Sequence, residues 1–164
     1  VKNSNFMIAV TAMPALCGIC LSAPAGAQTM SADADAEVLK PMTLTKTSDF
    51  EFGKAVNTNA VPTQVELNWV DGNRYCMPGI ICSGSHSFAE FDVTGSDRAY
   101  QISFPSTFQL TGPGAPMEFA PQTQLNRLIT GGTSHFRIGG WLTIGANQTD
   151  GAYAGSLAVT TEYQ

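Results

Sequence analysis

The side chains with chemical potential are few in this chain, and they are thinly grouped. Cys76 and Cys82 bracket the Pro78-Gly79 turn in RYCMPGIICSG, with His86 close behind. Two thiols this near in sequence close a small loop in an oxidising compartment, so a disulfide is the expectation. The loop-entropy relation puts such a link at about 2 kcal/mol, enough to stiffen a hairpin tip and too little to carry a fold. Zinc is the competing chemistry, but two thiols and one imidazole at this spacing match no structural zinc pattern. Ser83-Gly84-Ser85-His86 lacks the Gly-x-Ser-x-Gly frame of a nucleophile elbow. Glu90, Asp92 and Asp97 are carboxylates of the type glycosidases pair, yet Glu90 and Asp92 flank Phe91 and are expected on the solvated face of a strand. The sequence assigns no partner to His86 or His135. Trp69, Tyr75 and Trp141 suit a sugar-stacking surface and a core equally well. The expectation is a protein that is not an enzyme, with no catalytic, cofactor-binding or metal-binding residues.

The elements that would position these residues have a period of two. Val65, Leu67 and Trp69 alternate before the Asp71-Gly72 turn, and Ala89, Phe91 and Val93 alternate before Gly95-Ser96-Asp97. Tyr100, Ile102 and Phe104 stop at Pro105, Phe108 and Leu110 precede Gly112-Pro113-Gly114, and Met117 and Phe119 precede Pro121. Phe136, Ile138, Leu142 and Ile144 alternate through a segment in which Gly139-Gly140 permits a bulge or a close strand approach. The last stretch, Gly151 to Gln164, places Leu157, Val159, Thr161 and Tyr163 on one side of an extended chain. Short strands punctuated this regularly predict a single all-β domain, an antiparallel sandwich rather than βαβ units. Gln122 to Ile129 is the one stretch open to a helical turn.

Residues 1–27 carry the marks of an export signal: Lys2, an apolar run from Phe6 to Leu21, and a small-x-small site at Ala25-Gly26-Ala27. Cys17 and Cys20 would be discarded with it. The whole chain has a net charge of −5, and losing Lys2 makes the remainder more acidic. With no basic patch or arginine stripe, nucleic acid is an improbable partner. The chain is expected to leave the cytoplasm, to pass through the periplasm, and to end at the cell surface or in an extracellular fibre.

Residues 28–40 form an N-terminal extension ahead of a sandwich domain spanning 41–164. In an extended conformation Ala32, Ala34, Ala36 and Val38 occupy one face, and Asp33, Asp35 and Glu37 the other. A half-buried strand needs that division. Small inward side chains would let it lie in a narrow groove on another sheet, and the acids would keep it soluble while unpaired. A disordered acidic linker and pairing within the same chain are the alternatives. A calcium loop at the three acids would lack its turn glycine and bidentate glutamate.

Two stretches resemble known families. Pro41 to Gly53, PMTLTKTSDFEFG, is similar to the opening of a secreted bacterial domain family of unassigned function with an L-T-L-T-K-T-x-D-L-x-F-G signature, and Leu142 to Gly155 is similar to that family's closing half. The Phe52-Gly53 ending also resembles the first strand of chaperone–usher pilins and of spore-coat-U-like fibre subunits. Pilins have a glycine fourteenth from the end and a tyrosine second from the end, positions held here by Gly151 and Tyr163. The resemblance implies an immunoglobulin-like sandwich that stays incomplete until a donated strand is added. It also implies a pilus or fimbria subunit that polymerises with copies of itself through donor-strand exchange, helped by a periplasmic chaperone and an outer-membrane usher. Ala32, Ala34, Ala36 and Val38 would then be the donor face, and Gly151, Leu157, Val159 and Tyr163 the closing strand. Many pilins carry a cysteine near the first strand bridged to a distant one, whereas this chain has only the local pair. The alternative function is a self-complete secreted binding module directed at carbohydrate through Trp69, Tyr75 or Trp141.

Overall fold

The structure is a computed structural model that describes residues 28–164; the expected export signal lies outside them. The chain divides into two compact units, Val1–Ala36 and Glu37–Gln164. The described part of the first unit, residues 28–36, is exposed throughout and carries no strand.

The second unit is all-β, with no helix among the described residues. Its strands are β1 (Thr43–Ser48), β2 (Lys54–Asn57), β3 (Thr63–Asn68), β4 (Asn73–Cys76), β5 (Ile80–Ser83), β6 (Ala89–Thr94), β7 (Ala99–Ser103), β8 (Phe108–Leu110), β9 (Met117–Gln122), β10 (Asn126–Leu128), β11 (Thr133–Ile144) and β12 (Thr160–Tyr163). All the ladders are antiparallel. The largest sheet runs β1-β6-β11-β3-β4, with β9 also on β11 and β8 on β9; a three-stranded sheet runs β10-β7-β12, and β2-β5 is a two-stranded ribbon. The result is an antiparallel sandwich of the immunoglobulin-like class.

The long strand β11 serves both halves of the sandwich. Residues 133–138 pair with β6, and residues 139–144 pair with β9 and β3. The changeover falls at Gly139-Gly140, where two backbones press in from opposite edges. A Cβ at Gly139 would overlap the Leu67 carbonyl oxygen, and one at Gly140 (φ 142°) would overlap that of Ala120. Glycine is required there because the neighbouring main chains occupy the side-chain space.

Two apolar cores follow from this division. One joins Ala89, Phe91 and Val93 of β6, Tyr100 and Ile102 of β7, Ile129, and Phe136 and Ile138 of β11. The other joins Val65, Ile80, Leu110, Met117, Phe119, Leu142 and Ile144. The alternating residues of the sequence are these inward positions, since period two sends every second side chain to one face. Phe50 packs against both cores.

Two local expectations change. The stretch open to a helical turn, Gln122 to Ile129, holds β10, because residues 126–128 take the outer edge of β7 and Ile129 is fully buried behind them. The closing segment has the expected facing, but its ladder covers only Thr160–Tyr163; upstream a single bridge, Thr111 to Ala154, ties it to the rest.

Candidate functional site

The candidate site is the side of the sandwich where β1 and β12 stand. In the first core, β6 connects to β7 through a tight turn at residues 95–98, and β10 connects to β11 just as closely. The sheets β1-β6-β11 and β12-β7-β10 therefore face each other, which leaves β1 and β12 at corresponding edges. Among the described residues β1 bonds only to β6 and β12 only to β7, so each presents one unpaired row of N–H and C=O groups. Met42 and Leu44 on one side and Leu157, Val159 and Tyr163 on the other pack against the first core while remaining partly exposed. The seam is thus apolar at its floor and offers backbone hydrogen bonds along both walls.

One end of the seam is fastened. Tyr163 Oη accepts the Ser96 N–H at 2.7 Å and donates to the Lys40 carbonyl at 2.9 Å. The Lys40 N–H donates to Ser96 Oγ at 2.8 Å, and Gln164 N–H to the Ala99 carbonyl at 3.0 Å. Arg98 pairs with Glu37, whose hydrogen bond and charge raise the guanidinium's already high pKa. Residues 37–40 therefore belong with the sandwich, although the sequence placed its start at Pro41. The hydroxyl of Tyr163 gives a physical reason for that residue type: phenylalanine fills the same space but bonds neither group.

The donor-face residues Ala32, Ala34, Ala36 and Val38 are all exposed and lie outside any strand; Val38 is 95 % exposed. Gly151, at φ 140°, sits where a Cβ would lie 2.6 Å from Pro113. Leu157, Val159 and Tyr163 line the seam as described.

The Phe52-Gly53 pair closes the other end of β1's continuation. Phe50, Phe52 and Phe108 each set an edge against Phe119, at centroid distances of 5.0, 5.2 and 5.2 Å. Gly53, at φ 70°, is hemmed in by the carbonyls of Ser83 and Ser85 and by Arg74. Arg74 was not singled out from sequence. Its guanidinium donates to the carbonyls of Phe52 at 2.7 Å, Ser83 at 3.3 Å and Gly84 at 3.2 Å, tying β4 to the β2-β5 ribbon. The disulfide between Cys76 and Cys82 joins the same elements, with Cα atoms 6.3 Å apart.

The remaining chemical residues are scattered. His135 Nδ1 lies 2.8 Å from Asp92 Oδ1, a cross-strand pair on the outer face of β11 and β6. His86 sets its ring edge against Phe88. Asp97 accepts the N–H groups of Gly131 and Gly132, so it braces a turn. Among the described residues no three of His, Cys, Asp or Glu are grouped to hold a metal. Trp69 lines two shallow depressions of about 370 and 330 Å³, the first with Glu90, Arg127 and Arg137. Trp141 and Tyr75 stand instead on the outer face of β11 and β4, with Glu66 between them. The missed pairings, His135 with Asp92 and Tyr163 with Lys40, join residues 43 and 123 positions apart, and only the fold brings them together.

Residues 42–163 match the family model described as Domain of unknown function (DUF4402), so the chain belongs to that family. No curated protein and no solved structure matches it.

Proposed function

We propose that this chain is a structural subunit of a bacterial surface fibre, a pilus or fimbria, assembled by strand donation between copies. The observation that carries the reading is the pair of unpaired edges, β1 and β12, at one side of the sandwich over a half-buried apolar row. An incoming extended segment would meet hydrogen-bonding groups on both walls and cover Met42, Leu44, Leu157 and Val159. That is strand addition, in which the backbone ladder gives affinity and alternate side chains give register. The segment of the chain that suits the task is Ala32 to Val38, with small residues on one face and acids on the other. In this reading the protein is exported, does no catalysis, is held in the periplasm by a chaperone that occupies the same seam, and passes through an outer-membrane usher.

Deletion tests it. Residues 28–36 should be removed and residues 37–40 kept, since Lys40 is the acceptor for Tyr163. The full chain is expected to form ladders that resist detergent until boiled, and the truncated chain to remain a folded monomer. Adding a synthetic peptide of residues 28–40 to the truncated monomer should raise its melting temperature, because a ligand that binds only the folded state stabilises it. The same peptide with Ala34→Asp should not. Filaments formed by the truncated chain would defeat the donor assignment.

A further inference from the structure

A second surface uses none of the residues of β1 or β12. On the sheet that holds β9, β11, β3 and β4, register puts Ala120, Trp141, Glu66 and Tyr75 in one row across the four strands. Val65, Leu67 and Leu142, their neighbours along the strands, are 0 %, 0 % and 3 % exposed, so alternation turns Glu66 and Trp141 outward. Tyr75 is 41 % exposed. Trp141 and Tyr75 stand two strand spacings apart, roughly 9–10 Å, with a carboxylate between them.

We propose that the row Trp141–Glu66–Tyr75 is a binding platform for an extended, uncharged saccharide chain. Each aromatic ring offers an apolar face to the C–H side of one sugar, and the Glu66 carboxylate accepts hydroxyl hydrogens from the sugars above it. Trp141 is partly exposed, with the small side chain of Ala120 on its far side. Gln64 and Thr143, bonded to each other at 3.2 Å one step along the same face, add amide and hydroxyl groups at the border. The Tyr75 end of the row is braced before any ligand arrives. Tyr75 Oη donates to Asp71 Oδ2 at 2.5 Å, and the next residue, Cys76, is held by the disulfide. Preorganisation of this kind reduces the ordering cost of binding. Glu66 is already partly stripped of water by its neighbours, and that burial, with Asp71 nearby, raises its pKa. With Glu66 and Asp71 both acidic and the row itself holding no cation, carboxylated or sulfated sugars are disfavoured.

Calorimetric titration of the full chain with cellohexaose, laminarihexaose, chitohexaose and polygalacturonate tests the proposal. Binding of at least one neutral hexasaccharide is expected, with no binding of polygalacturonate. Trp141→Ala and Tyr75→Ala should each weaken that binding by about tenfold or more. Trp141→Phe, which keeps a stacking ring, should retain most of it, and Trp69→Phe should leave it unchanged. Thermal unfolding of each variant separates loss of binding from loss of fold. Failure of all three neutral oligosaccharides at about millimolar concentration would overturn the proposal. So would a preference for polygalacturonate, or undiminished binding by a folded Trp141→Ala protein.

Discussion

Around Phe119, three aromatic rings, a disulfide and the Arg74 guanidinium fasten β2, β4, β5, β8 and β9 together, and the apolar side chains find partners on several elements. Around Phe91 the packing is as apolar but one side is left open: β1 and β12, each bonded on one side only, stand at corresponding edges, and Met42, Leu44, Leu157 and Val159 between them remain half-covered. The two halves share β11, so the contrast is not one of stable against unstable domains. It separates a half whose outer strands, though also bonded on one side only, are cross-linked to one another from a half in which two such edges stand together over a half-covered apolar row. A free strand edge beside apolar side chains is a hazard in an isolated protein and a resource in an assembling one.

The largest effects are expected where the fastened half is breached. Phe119→Ala removes the ring that Phe50, Phe52 and Phe108 all touch, and should cost about 3–5 kcal/mol in denaturant unfolding. Leu44→Ala, on the half-covered wall of β1, should cost far less in the isolated chain, on the order of 1 kcal/mol, because part of the side chain already meets water. If the two costs came out alike, the contrast between the halves would be lost. In the fibre reading Leu44→Ala should weaken assembly more than it weakens folding.

Removing the disulfide with Cys76→Ser and Cys82→Ser together should cost about 2 kcal/mol, as the loop-entropy relation gives for so short a loop. The loss should appear as faster hydrogen exchange in β4 and β5, with β1 and β12 unaffected. Tyr163→Phe should cost about 1–2 kcal/mol, since one hydroxyl satisfies both the Ser96 N–H and the Lys40 carbonyl. Its signature would be exchange at the Ser96 amide and loosening of residues 37–40, on the open side of the molecule.

Much of this fold was legible in the sequence because period-two alternation is a local signal. Phe91, Val93, Tyr100, Ile102, Phe119, Phe136 and Ile138 are buried where their spacing places them. Gly139-Gly140 signalled a close approach, and two backbones make it. Cys76 and Cys82 read correctly because the two partners lie only six residues apart in the chain. What was not legible depends on which strands become neighbours. β10 is a short edge with three residues, too brief for a pattern of its own, and it exists because β7 has a free side. The row of Trp141, Glu66 and Tyr75 draws on three strands, and nothing in the local sequence of any of them puts the three side chains together. The facing of Leu157, Val159 and Tyr163 was readable, but the matching wall at Met42 and Leu44 required knowing that β1 and β12 share a side.

The smallest effect expected is a pH dependence confined to the outer row of the fastened half, where two carboxylates have opposite signs. Burial, helped by Asp71, raises the Glu66 pKa above its ordinary 4.5. Its contribution is therefore fully present below that value and is lost as pH rises through the folded pKa, because the fold disfavours the ionised form. Asp71 runs the other way: the Tyr75 hydroxyl, followed by the Asn73 amide, holds its pKa below the ordinary 3.8, so its contribution is present above that value and lost as pH falls through the folded pKa. Glu66→Gln, uncharged at every pH, should melt slightly higher than the unmodified chain at about pH 7, and the advantage should vanish below about pH 4. Tyr75→Phe should do the reverse, removing the bond that favours ionised Asp71 and lowering the melting temperature at neutral pH more than in acid. A Glu66→Gln advantage that persisted into acid would mean that the carboxylate is disfavoured by its shape rather than by its charge. In that case its partial burial would say nothing about a surface prepared to receive hydroxyl groups.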